Sequence, residues 1–147
     1  MNWLPRDTIL GELTLLETYV FYDGPRLFSA QSLTDQRYLA AWANEGHEAD
    51  EWLYVAISEA RLNMVRSGAR TVRSAFLEPE GFTYRVIIPH DDSSPDSAKT
   101  VVPSEIETPW VSRRLGLLDS DQGLVGPVCI VERSFELGRW DVAEVAV

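Results

Sequence analysis

The stretch EWLYVAIS, residues 51–58, alternates with a period of two, and neither of its alternating sets is polar. Trp52, Tyr54 and Ala56 fall on one side, and Leu53, Val55 and Ile57 on the other. A strand apolar on both sides reads as central in its sheet or well covered. The rest of the chain has to supply its neighbouring strands.

The neighbours are legible on either side. LGELTLLETYVFY reads as a first strand, with Leu13, Leu15, Tyr19 and Phe21 on one alternating set. Glu17 interrupts that set, which points to a bulge near Leu16-Glu17. Asp23-Gly24-Pro25 reads as a structural turn, because glycine accepts positive φ and proline cannot donate to a ladder. RLFSAQS and RYLAAWAN follow as strands, joined through LTDQ, and the polar EGHEAD leads into EWLYVAIS.

At Ser58 the period changes. Ser58 suits an N-cap, Glu59 suits the first turn, Leu62 and Val65 share a face, and Gly68 suits a stop. A second short helix is expected from a capping Thr71, with Val72, Ala75 and Phe76 inward and Pro79 ending it. GFTYRVIIP returns to strand, with Phe82, Tyr84, Val86 and Ile88 alternating.

These elements predict an α+β fold: a curved, mainly antiparallel sheet with two short helices packed on one side. HDDSSPDSAK is acidic and poor in apolar residues, so 91–98 reads as a linker between a domain at 1–90 and a segment at 99–147. LVGPVCIVERSF and RWDVAEVAV read as strands, making that segment strand-rich and able to complete or extend the sheet. TPWVSRRLGLL reads as a short helix.

The chain has 147 residues, enough for a core without disulfides or a metal. Its single cysteine, Cys129, excludes an internal disulfide. No run reaches the roughly 18 apolar residues of a membrane span, and no secretory signal is visible. A soluble, cytoplasmic protein is expected.

The net charge of −10 opposes general nucleic-acid binding and attraction to anionic membranes. It is unevenly spread. Residues 1–60 carry three arginines against ten acids, whereas residues 61–90 carry five against two. Arg61, Arg66, Arg70 and Arg73 form this basic centre. Pairing with the chain's own acids is the ordinary fate of such a set, and a docking patch for an acidic partner is the sharper one.

No catalytic constellation is visible. His47 and His90 stand apart in polar connections, without the spacing of a metal pair. DSDQG, from Asp119, begins like a calcium loop but lacks its later ligands. There is no phosphate loop or nucleophile elbow. Catalytic residues, metals and cofactors are therefore not expected. The aromatics are the richer signal. Tyr22, Trp42 and Trp52 read first as core and, alternatively, as a recognition surface.

In order, YDGPRLF, RYLAAW, EWLYVAIS and RLNMVRSGARTVRSAF resemble an uncharacterised family of small bacterial domains, over roughly residues 9–88. The resemblance implies a bacterial, cytoplasmic origin and supplies no activity. The favoured expectation is a non-catalytic protein-binding or regulatory module, such as an accessory subunit, antitoxin or immunity-like protein. Its binding residues would come from Tyr22, Trp42, Trp52, Arg66, Arg70 and Arg73. One alternative is a small-molecule sensor or enzyme with a cleft lined by Tyr22, Trp42 and Trp52. Another is a structural component that self-associates through strands beyond the linker.

Overall fold

A computed structural model describes residues 3–21, 24–106 and 129–130. Six strands form an antiparallel meander: β1 (Leu13–Phe21), β2 (Pro25–Ser32), β3 (Arg37–Glu45), β4 (Ala49–Ala56), β5 (Thr83–Pro89) and β6 (Ser97–Val101). A two-residue strand, β7 (Cys129–Ile130), pairs parallel to the end of β1. The order across the sheet is β6-β5-β4-β3-β2-β1-β7. Helices α1 (Glu59–Ser67) and α2 (Val72–Leu77) lie between β4 and β5 in the chain.

β4 sits inside the sheet with both sides covered, as its two apolar sets require. Trp52, Leu53, Tyr54 and Val55 are all fully buried. Register places Trp42 opposite Trp52, Ala40 opposite Tyr54 and Phe28 opposite Ala40. These residues form one face of the sheet. Leu27, Ser29, Leu39, Ala41, Leu53 and Val55 form the other, since strand neighbours alternate.

Each face has its own cover. The segment Trp3–Leu10 lies over the Trp52 face. The Tyr54 hydroxyl donates to the Trp3 carbonyl, and Leu10 is buried. The helices cover the Leu53 face through Leu62, Val65, Val72, Ala75 and Phe76. Burying each large side chain contributes about 1.5–3 kcal/mol. Two opposed covers are thus the main source of stability.

The helix boundaries fall where local chemistry puts them. Ser58 Oγ accepts from the Arg61 amide at 3.1 Å, and Gly68 ends α1 with φ 85°. Thr71 Oγ1 accepts from the Ser74 amide at 2.9 Å and starts α2. The Glu80 carboxylate accepts from the Ser58 amide at 2.6 Å and from its hydroxyl at 3.1 Å. One acid after α2 therefore fastens the start of α1 to the chain returning into β5.

The acidic segment after β5 is a hairpin connection within the same sheet. The Asp91 carboxylate accepts from the Ser93 amide at 3.0 Å, and β6 begins at Ser97, inside the stretch read as a linker. Lys99 pairs in register with Arg85 on β5. The expected helix at TPWVSRRLGLL and strand at RWDVAEVAV lie outside the described residues. So does the expected LVGPVCIVERSF strand, apart from β7.

Gly24 carries the turn into β2 with φ 122°. A Cβ there would stand 3.3 Å from Cζ3 of Trp3. The turn and the N-terminal cover thus compete for one small space. Gly24→Val is expected to cost roughly 1–3 kcal/mol, from backbone strain and displacement of Trp3. Urea denaturation measures this, and an unchanged midpoint would refute the packing.

Candidate functional site

The bulge anticipated near Leu16-Glu17 sets up the main polar cluster. Leu15 stands opposite Ala30, yet Glu17 stands opposite Ser29. The single extra residue, Leu16, moves Glu17 from the N-terminal face to the helix face. There the Tyr19 hydroxyl donates to Glu17 Oε1 at 2.8 Å and lies 3.2 Å from Ser29 Oγ. Arg66 Nη2 on α1 donates to the same Glu17 oxygen, and Arg66 Nη1 reaches Asn63 Oδ1 at 2.5 Å. One carboxylate oxygen therefore accepts a donor from β1 itself and one from α1, and the second ties the two elements together.

Burial, above all, raises the Tyr19 phenol above its usual 10.0, while Ser29 and Arg66 pull the other way. At neutral pH Tyr19 is a neutral donor and Arg66 a cation, each directed at a carboxylate of the chain itself. This geometry works as a clamp between sheet and helix. About a third of the Arg66 side chain and two fifths of Glu17 remain accessible. Solvent screening then limits the ion pair to a modest contribution.

The other arginines are spread over the helical layer. Arg70 Nη1 lies 3.7 Å from Glu78 Oε1, and Arg61 Nη1 donates to the Glu78 carbonyl at 2.9 Å. Arg73 is half-buried on α2 and has interactions of its own. Pairing within the chain, the ordinary reading of this basic set, describes Arg66 and Arg70.

Trp42 and Trp52 are core residues, exposed by 1% and 0%. The recognition surface expected of them is not formed by these rings, because the N-terminal segment covers their face of the sheet. Tyr22 and Asp23 lie outside the described residues. Gly24 and Pro25 occupy the turn and the first position of β2. Sequence reasoning missed Arg26, whose guanidinium lies 4.1 Å from the centre of the Trp42 ring although the residue is 3% exposed. Position 26 alternates with Phe28 and Ala30, which was the available signal for an inward arginine. Stacking on an indole suits a desolvated guanidinium.

The aromatics reach the surface elsewhere. Edge-to-face contacts run from Trp52 to Phe28 (5.5 Å between ring centres), then to Tyr54 (6.0 Å) and Tyr38 (6.4 Å). They continue to Tyr84 (6.2 Å) and end on Phe82 (6.4 Å). Phe82 is 69% exposed. It belongs to the alternating set expected of β5, and alternation alone does not show where a cover stops.

Among the described residues, two of the clefts are polar and open. One of about 480 Å³ is lined by Asp35, Arg37, Ser58, Glu59 and Glu80 among others, and one of about 330 Å³ lies between Arg6 and the Asp92–Asp96 loop. Neither is lined by Trp42 or Trp52, whose rings are buried in the core. His90 is not merely solvated: its Nε2 lies 3.2 Å from Oδ1 of the buried Asp50, and its Nδ1 lies 3.2 Å from the His47 carbonyl. Among the described residues no group of three or more His, Cys, Asp or Glu could hold a metal ion. No described helix is long and apolar enough to cross a membrane. DSDQG lies outside the described residues.

Tyr38 and Tyr54 are raised above 10.0 with Tyr19, chiefly by burial, and fully buried Tyr54 most strongly. A proton held more tightly in the folded state stabilises it fully below the unfolded value, about 10, and that stability is lost as pH rises through the folded values. Stability to urea is expected to fall as pH rises above about 10, less so in Tyr19→Phe. Equal slopes for the two proteins would refute the burial of this phenol.

The profile of a family of unknown function, DUF6575, matches residues 1–120, taking in the whole stretch that carries the resemblance read from the motifs. No curated protein and no solved structure matches the chain. With 120 of its 147 residues matched, the chain belongs to the family of unknown function DUF6575.

Proposed function

We propose that this domain is a protein-binding module, an accessory or immunity-like component of a bacterial cytoplasmic system. Its contact surface is the margin formed by β5 and β6. The observation that carries this reading is Phe82. A large ring stays mostly in solvent, yet it meets Tyr84 edge-to-face, and Tyr84 packs on Tyr38 and so on the core.

A pre-ordered exposed aromatic loses little side-chain entropy on binding, and such residues anchor protein interfaces. Val102, 53% exposed, follows β6 on the strand position next to Phe82 in the β5–β6 register and extends the same apolar margin. The net charge of −10 adds a long-range preference against acidic partners, which a local cation has to offset wherever a carboxylate is recognised.

The test is co-purification of tagged protein from its native host, wild type against Phe82→Ser. That substitution removes an exposed side chain, so stability should change by no more than about 0.5 kcal/mol. A stable partner should be recovered with wild type and reduced about tenfold or more with the variant. Equal recovery by the two proteins, or no partner at all, would contradict the reading.

A further inference from the structure

We propose that the outer margin of β6 is a strand-addition site for an extended, carboxylate-bearing segment of another protein, with Lys99 selecting its charge. The proposal rests on the protein-binding reading and names its partner.

β6 pairs with β5 on one side, and among the described residues no strand pairs with its other side. In an antiparallel ladder alternate residues turn their N–H and C=O groups away from the neighbour, so an edge strand offers a row of unmet donors and acceptors. Ser97, Lys99 and Thr100 are exposed there, and Phe82 and Val102 adjoin the end of the strand. Backbone that no described strand pairs and exposed apolar side chains thus meet at one margin. Main-chain hydrogen bonds supply affinity in this mode of recognition, and side chains supply selectivity.

Lys99 decides between occupants. It is the single lysine of a chain carrying −10, and it is the middle residue of the five in β6. A second copy pairing about the centre of β6 would set Lys99 directly against Lys99, which is unfavourable. A lysine on an edge strand ordinarily serves to prevent such self-pairing. The same charge favours an incoming strand with a carboxylate at that position. The neighbouring cation on β5, Arg85, is held by Glu51 at 2.7 Å. No described acid forms an ion pair with Lys99. Pro95 and Pro103 bracket the strand and confine pairing to a short segment.

The probe is a short peptide alternating valine and threonine with one central glutamate, and its control carries lysine there. Titration calorimetry on the full chain should give the glutamate peptide a Kd on the order of 100 µM, about tenfold tighter than the control. Lys99→Glu should reverse the preference, and amide exchange at Ala98–Val101 should slow in the complex. Binding of neither peptide, a preference unchanged by Lys99→Glu, or a wild-type dimer protecting the β6 amides would each overturn strand addition. If partner recovery still depended on Phe82 while both peptides failed, the protein-binding reading would stand and strand addition would fall. Peptide binding with no dependence of partner recovery on Phe82 would keep strand addition and remove Phe82 as the anchor of the contact surface.

Discussion

Burial of β4 on both faces is the constraint from which the rest of the structure follows. Four consecutive residues, Trp52 to Val55, are each fully buried. That demands strands on either side, a cover above and a cover below. β3 and β5 provide the first, the Trp3–Leu10 segment the second, and α1 with α2 the third. The Tyr54 hydroxyl joins two of these requirements, since it belongs to β4 and holds the N-terminal cover at the Trp3 carbonyl. Gly24 is glycine partly because the same tryptophan occupies the space beside it.

Where covers end, the surface acquires its character. The helical layer is fastened to β1 by Glu17, which faces Arg66 only because Leu16 is an extra residue in the ladder. That spends most of the local charge on holding the fold together. On the other face the N-terminal segment shelters Trp42, Trp52 and Arg26, while the aromatic contacts run on to an exposed Phe82. The proposed binding margin is therefore the place where the core pattern continues and its cover does not.

Much of this was written locally in the sequence. The bulge showed as one glutamate breaking an alternating set, the helix caps as Ser58, Gly68 and Thr71, and the buried strand as two apolar sets in EWLYVAIS. The N-terminal cover left no such trace, because NWLP has no period and its role rests on a hydrogen bond between residues 51 positions apart. Segment 91–98 looked like a linker by composition, yet hairpin connections share that composition, and only pairing with β5 distinguishes them. For the candidate site, strand alternation placed Trp42 and Trp52 on one side but could not tell a covered side from an open one. The same limit hid Phe82, whose exposure depends on tertiary covering rather than on its neighbours in sequence.

The most direct measurement is native-state amide hydrogen exchange along the sheet. If burial of β4 organises the fold, the amides of Leu53 and Val55 should exchange only through global unfolding, with protection equal to the full unfolding free energy from urea denaturation. Those of β6 should open at a smaller cost. Exchange from β4 as fast as from β6, or well below the global limit, would contradict the account.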